Sequence, residues 1–596
     1  MIDAEAESVY AGLMAKEANP KDLDGIRHSL AHLLAAAVLE KFPNAKLGVG
    51  PVIENGFYYD FDLPRPLTPD DLKDLEKSMH KLVNKKLPFT GREVSAAEAK
   101  KLFTQQPFKL DLIKEFSAEG QKLTVYETGT VFMDLCRGGH VENTSEIPAD
   151  AFTLDKIAGA YWRGDEKNPM LQRIYGLAFA NKDALNDYLA MREEAKKRDH
   201  KVLGPALDLF TFSELVGPGL PLWTPKGTLV RNLLDDFVWS LRKKRGYMKV
   251  EIPHITKKDL YVVSGHWDKY KDELFRFKTR EGHEFAMKPM NCPHHTQIYA
   301  RRPWSYRELP QRYANTTVCY RDEQTGELSG LSRVRAFAQD DAHVFARMAQ
   351  AKEEFLKIWD IVHEFYGAFG FALRVRLSLH DPAHPENIIG DEKHWKLAED
   401  MLRKIAEEKK ADAFEGIGEA AFYGPKLDFM VKDALGRDWQ VATIQLDFNQ
   451  PERFDLTCTN EKGEKERIVM IHAAIMGSLE RFLSILIEHT GGQFPVWLAP
   501  VQAVIVPVSD KFADYANAVH NELEAAGVRS ELADANESLG KRIRAAELMK
   551  VPYVLVVGEK EVAARSVAVR SRKGDEGAMP AQDFIKKIEK EIIEKK

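Results

Sequence analysis

Two short stretches hold the side chains best suited to chemistry. DLCRGGH at 134–140 sets Asp134, Cys136 and His140 around a Gly-Gly turn, and HSLAH at 28–32 sets His28 and His32 four apart. Together the cysteine and the three histidines could complete a tetrahedral zinc set, or they could do acid–base work on an ester. Spacing does not separate these readings. A second cysteine with histidines beside it, Cys292 in MKPMNCPHH at 287–295, competes as a metal ligand.

The elements that must position these groups can be read from periodicity. In DGIRHSLAHLLAAAVLEKF, residues Ile26, Leu30, Leu33, Leu34, Ala37 and Val38 fall on one helical stripe. His28 and His32 are then expected on the opposite face, off the core. Short strand-like runs (KLGVGPVI, GFYYDF, LTVYET) fill much of the first 185 residues, and the charged segment 183–204 reads as an inter-domain helix ending near Gly204. LRVRLSLH, KLDFMVKD, WQVATIQLDF and RIVMIHAAI suggest strands of an antiparallel sheet. After LAPVQ, from AVIVPV at 503–508 onward, the pattern becomes β-α-β-α-β, which predicts a small separate α/β domain.

The chain of 596 residues is too long for one core, and its length suggests roughly three or four domains. Its net charge of -6 excludes a histone-like basic binder but leaves room for a local RNA-binding face. Four cysteines (Cys136, Cys292, Cys319 and Cys458) are too sparse for a disulfide framework, so a reducing cytosol is expected. MIDAEAESVY, the first ten residues, is acidic and lacks the apolar core of a secretory signal, and no apolar run approaches bilayer length. A cytoplasmic protein without membrane contact is therefore expected.

At 319–343 the sequence reads CYRDEQTGELSGLSRVRAFAQDDAH. An arginine, an acid two residues on, a glycine-containing turn and a basic-aromatic return strand have the layout of a strand-loop-strand that grips a nucleoside triphosphate. This resembles motif 2 of the class II aminoacyl-tRNA synthetases; RGYMKVEIP at 245–253 resembles motif 1, and GSLERF with Arg481 resembles motif 3. HSLAH, GFYYDF, DLCRGGH, MNCPHH, FAQDDAH, AFYGPK, TIQLDF and MGSLERFL, in that order, narrow the resemblance to the threonyl-tRNA synthetases, from about residue 20 to the C terminus.

The resemblance implies an α+β multidomain fold: an editing domain at 1–185, a linker helix at 186–204, a class II antiparallel-sheet catalytic domain at 205–500 and an α/β anticodon-binding domain at 501–596. It implies one Zn2+ on Cys292, His343 and His472 with an open position for substrate, and leaves His294 and His295 as pocket neighbours. Asp341 is expected to take the hydroxyl of threonine, with Tyr423, Gln339 and Gln445 orienting the amino acid. For ATP with its Mg2+, Arg321 is expected at the α-phosphate, Arg481 at the γ-phosphate and Glu323 at the adenine, with Arg333, Lys426 and Gln440 around them. His28, His32, Lys109, Asp134, Cys136 and His140 resemble the metal-free hydrolytic site for seryl-tRNA, an editing domain that carries zinc being the alternative. Asn536, Arg570 and Arg572 are the expected anticodon contacts, and L-threonine, ATP, tRNA(Thr) and a second copy in a homodimer are the expected partners.

Three departures qualify the match. The family usually begins with a small β-grasp module, for which this chain has no room, as expected of a bacterial type lacking that domain. Gly139 stands where proline is common, which should loosen the turn holding His140, and Ala473 stands where arginine is frequent. A catalytically silent RNA-binding relative, a free-standing zinc hydrolase and a class II synthetase for another amino acid are the competing readings.

Overall fold

The computed structural model describes residues 20–384, 386, 388 and 392–595. The reading of the first ten residues thus lies outside the described part. The chain divides into two compact units, Met1–Glu193 and Glu194–Lys596, and the division falls within the charged helix Lys182–Arg198.

In the first unit a long helix, α1 (Pro20–Lys41), packs among β1 (Gly56–Asp62), β2 (Phe89–Val94), α2 (Pro107–Ala118), β3 (Leu123–Thr128), β4 (Phe132–Leu135), β5 (Phe152–Tyr161) and β6 (Met170–Ala178). β1, β6 and β5 are neighbours in an antiparallel five-stranded sheet, and β2, β3 and β4 form a second antiparallel sheet. Leu30, Leu33, Leu34 and Val38 pack with Phe57, Tyr59 and Phe61 of β1. The expectation that His32 lies off the core is corrected here: it is 2% exposed. Phe132 of β4 meets its ring edge-on at 5.3 Å, with Phe89 of β2 beyond. The second sheet encloses the histidine face of α1 as the first encloses the leucine face, so residues 29–38 are all buried.

Among the helices of the second unit are α3 (Lys182–Arg198, its C-terminal end), α4 (His200–Ala206), α5 (Cys292–Ala300) and α6 (Leu479–Thr490), with Pro225–Lys244 and Met348–Gly367 behind the sheet. The central strands are β7 (Gln311–Tyr320), β8 (Ala336–Ala346), β9 (Leu373–Leu379), β10 (Lys426–Lys432), β11 (Asp438–Asp447) and β12 (Val469–Ser478). They run antiparallel in the order β7-β8-β12-β11-β10-β9, with Met248–Lys249 and Ala413–Ile417 added parallel at the two edges. Ala338, Ala342 and Val344 on β8 belong to the helix-covered core. Gln339, Asp341 and His343 alternate with them and share the other face. Buried Asp340, on the core side, is paired with Arg242 at 2.6 Å and accepts the Ile475 and Met476 N–H groups, both at 3.0 Å.

The C-terminal part is a sheet in the order 530–532, 503–507, 553–557, 566–571, 574–580, parallel in its first three strands and antiparallel in the last two. That matches the β-α-β-α-β pattern, extended by a hairpin.

Candidate active and editing sites

Register places the first set of residues. His343 of β8 lies opposite His472 of β12, His472 opposite Gln445 of β11, and Gln445 opposite Lys426 of β10, so one row crosses four strands on one face. Cys292 enters from the start of α5, and one donor atom from each of Cys292, His343 and His472 lies within 4.8 Å of the others. His343 Nε2 is 3.1 Å from His472 Nδ1. The outer nitrogens are held: His472 Nε2 donates to Asp447 Oδ2 at 2.8 Å, and His343 Nδ1 faces His295 Nδ1 at 2.8 Å. That leaves the inner nitrogen of His472 as a lone pair, and two imidazoles with a thiol make a donor set that suits zinc with an open fourth position. Burial pushes the Cys292 thiol well above its ordinary range and the His343 imidazole well below. A cation would be needed to hold the sulfur as a thiolate.

Asp341 Oδ1 is 3.7 Å from His343 Nε2, and Asn291 Nδ2 donates to Asp341 Oδ2 at 3.2 Å. Burial raises the Asp341 carboxyl to about 6. Tyr423 sets its ring 5.6 Å from that of His472, and Gln445 Nε2 donates to Gly424 O at 3.3 Å. Gln339 sits two residues before Asp341, paired across to Thr317.

The expected nucleotide residues divide into two kinds. Arg321 and Arg481 have no carboxylate partner among the described residues: Arg321 rests over Phe337 at 5.2 Å and Arg481 over Trp439 at 5.7 Å. Arg481 lies in the first turn of α6, where Ser478 Oγ accepts its N–H at 3.2 Å. Its side chain is exposed, and partial desolvation lowers its pKa. Arg333, by contrast, is tied to Glu323 at 2.7 Å and to Glu327 at 3.0 Å. Lys426 and Gln440 belong to a network on fully buried Asp428, which Lys426 ion-pairs and Gln440 Nε2 reaches at 2.8 Å, with Arg376 at 3.1 Å and Ser378 at 2.7 Å.

In the first unit His28, His32, Cys136 and His140 also converge, with donor atoms within 4.8 Å of one another. Cys136 Sγ is 3.2 Å from His140 Nε2 and 3.5 Å from His28 Nε2, while His140 Nδ1 faces Ser29 Oγ at 3.3 Å. Gly138 N–H points at Cys136 Sγ from 3.3 Å; its φ of +92° and that of Gly139, +84°, are left-handed conformations that suit glycine. Burial raises the Cys136 thiol to about 11 and lowers His140 to about 2. Thiol and imidazoles are therefore neutral at pH 7, able to orient a water or an ester by hydrogen bonds. Beneath them Lys109 and Asp134 form a buried ion pair at 2.6 Å, and Tyr59 OH donates to Asp134 Oδ2 at 2.5 Å.

Three stretches match known families: residues 123–175 the second additional domain of threonyl and alanyl tRNA synthetases, 275–490 the class II synthetase core domain (G, H, P, S and T), and 502–591 an anticodon binding domain. The threonine–tRNA ligase of Gloeobacter violaceus is 47% identical over 592 residues, covering 97% of this chain and 94% of its own. This chain belongs to the threonyl-tRNA synthetase family. The threonine–tRNA ligase of Porphyromonas gingivalis is 49% identical over 573 residues, covering 95% and 87%. A solved RNA binding domain of threonyl-tRNA synthetase from Cryptosporidium parvum superposes with a TM-score of 0.62 at 38% identity, over 66% of this chain and 98% of that one.

Within this synthetase the expected anticodon residues are placed unequally. Asn536 is exposed, its Nδ2 donating to Asp534 Oδ2 at 2.5 Å, and Arg570 is exposed on the strand 566–571. Arg572 instead donates to the carbonyls of Phe494, at 2.6 Å, and Lys550. Sequence reasoning missed Asn291, Asp447, Asp428, Arg376 and Ser29. Only Asp447 carried a signal, sitting two residues past Gln445 on the same strand face.

Proposed function

We propose that this chain joins L-threonine to tRNA(Thr) through a threonyl-adenylate made with ATP, and hydrolyses seryl-tRNA(Thr) in its first unit. The observation that carries the reading is the Cys292, His343 and His472 cluster beside Asp341 on one sheet face. Those three residues would hold Zn2+, which supplies a Lewis-acid position for an amino group and a hydroxyl. Asp341, oriented by Asn291, accepts the hydrogen of the threonine hydroxyl. Valine would leave that carboxyl unpaired, a heavy penalty. Serine lacks only a methyl, so the pocket can favour threonine by roughly 10 to 200-fold. That is too little for translation, and it gives the second site its role.

For the adenylate, Arg321 and Arg481 meet the triphosphate of ATP-Mg2+ as cations without carboxylate partners among the described residues, which suits charge that grows at phosphorus. Glu323 holds Arg333 and faces the adenine side, and Lys426 and Gln440 approach through the Asp428 network. In the editing site His28, His32, Cys136 and His140 position the ester and a water, with Lys109 and Asp134 fixing the floor. Asn536 and Arg570 are the exposed groups that contact the anticodon. The boundaries near 185, 204 and 500, a homodimer and a cytoplasmic location belong to the same reading; no helix among the described residues is long and apolar enough to cross a membrane.

The test is metal content together with threonine-dependent ATP–pyrophosphate exchange in wild type, Cys292→Ser and Cys136→Ala. One zinc per chain, lost with exchange in Cys292→Ser alone, is the expected result. Zinc lost in Cys136→Ala instead would move the metal to the first unit and overturn the account of threonine selection.

A further inference from the structure

Residues 321–335 join β7 to β8 and, in the proposed function, bring Arg321, Glu323 and Arg333 to ATP. The far side of this loop is held by a residue outside the sheet. His200, the first residue of α4, is 2% exposed. Its Nε2 accepts the Leu331 N–H at 2.9 Å, and its Nδ1 lies 2.5 Å from Glu488 Oε1 on α6. The two bonds set the tautomer: Nδ1 carries the hydrogen given to the carboxylate, and Nε2 keeps the lone pair that the backbone N–H needs. Glu488 is itself fixed, since Oε1 also accepts the His200 N–H at 3.1 Å and Oε2 is paired with Arg437.

The loop is shaped to fit the ring. Gly330 has φ +50°, and a Cβ there would stand 2.3 Å from His200 Nε2. A second tie runs from Ser332 Oγ to Ser484 Oγ of α6 at 3.1 Å. α6 therefore carries Arg481 in its first turn, Ser484 in its second and Glu488 in its third. Asp199, His200 and Glu488 also have donor atoms close enough for a metal ion, but both ring nitrogens of His200 are already committed.

We propose that His200 is a positioning residue for adenylate formation. Through Leu331 on one side and Glu488 on the other, it ties the ATP loop to the helix that bears Arg481. The separation between Arg321 and Arg481, the two arginines expected at opposite ends of the triphosphate, is then set by a rigid imidazole. This inference rests on the nucleotide reading of the loop given above.

The experiment is threonine-dependent ATP–pyrophosphate exchange on the full chain, with KM for ATP and for threonine measured separately, and with zinc content and melting temperature on the same samples. His200→Ala is expected to raise KM for ATP at least tenfold while KM for threonine and zinc content stay as in wild type. His200→Gln, whose amide oxygen can accept the Leu331 N–H and whose amide NH2 can reach Glu488, should recover most of that loss. Glu488→Gln, which keeps the packing and weakens the hold on Nδ1, should show a smaller rise in the same constant and serves if His200→Ala does not fold. KM for ATP within twofold of wild type in folded His200→Ala, or an equal rise for both substrates, overturns the proposal, as does loss of bound zinc in that variant. Wild type with no threonine-dependent exchange would defeat the functional reading first, and this proposal with it.

Discussion

His472 Nε2 stands 2.8 Å from Asp447 Oδ2, and Asp447 is fully buried. The other oxygen, Oδ1, accepts the N–H groups of Asn449 at 2.7 Å and Gln450 at 3.0 Å. One carboxylate therefore closes the turn after β11 and orients an imidazole on the neighbouring strand. Such an outer partner typically accounts for a 10 to 100-fold effect on metal affinity. Asp447→Asn keeps an oxygen for the turn and loses the anion facing His472. We expect about 10 to 100-fold weaker zinc retention in chelator competition with the melting temperature little changed; retention equal to wild type would show that His472 is oriented by other contacts.

The buried pair of Lys109 and Asp134, 2.6 Å apart at 2% and 4% side-chain exposure, makes a prediction about sign. Removing one partner leaves an uncompensated charge, which costs about 3 to 5 kcal/mol, whereas removing both together is far milder. Lys109→Met should therefore destabilise the first unit by about that amount in urea unfolding. Lys109→Met with Asp134→Leu should recover much of it, though not seryl-tRNA deacylation. A double variant as unstable as the single one would mean that packing, and not charge, dominates there.

Acid should destabilise the first unit. Burial lowers His28 and His32 and takes His140 to about 2, so the folded chain disfavours a proton on each of them. In the unfolded chain they bind protons below about 6.5. Folded pKa values below unfolded ones mean stability that is complete above pH 6.5 and falls as pH drops toward the folded values. Near pH 5.5 the loss from His140 is on the order of 1 kcal/mol. Thermal melts at pH 7.5 and 5.5 should show the first transition falling in wild type and falling less in His140→Asn; identical shifts in both would place the acid response elsewhere.

Local motifs were legible where chemistry lies within a few residues of chain: the Gly-Gly turn of DLCRGGH and the strand runs KLDFMVKD, WQVATIQLDF and RIVMIHAAI. What the residues alone could not give is register. That His343 and His472 touch depends on an antiparallel pairing 129 residues apart in the chain, and only the resemblance supplied it. The face of α1 was misread for a related reason, since an apolar stripe shows where one layer packs but not that a second sheet covers the other side. His200 carried no signal at all: its partners, Leu331 and Glu488, are 131 and 288 residues away.

Arg481 and Arg333 differ in what loss of charge should disturb. Arg481 is exposed and has no carboxylate partner among the described residues, while partial desolvation lowers its pKa. A cation without a counter-ion adds little to the stability of the free protein and is available to an anionic ligand. Arg481→Met should thus melt no lower than wild type without nucleotide, yet lose about 2 to 3 kcal/mol of ATP binding, the usual worth of a hydrogen bond to a charged group. ATP would then raise the melting temperature of wild type but not of the variant, as mass action on the folded state requires. Arg333→Met instead frees Glu323 and Glu327 from their shared partner, and because that pair lies near the surface its removal should change unliganded stability by no more than about 1 kcal/mol. If Arg481→Met melts several degrees below wild type without ATP, the arginine is holding the fold together through contacts of its own, and its assignment to the γ-phosphate loses its physical basis.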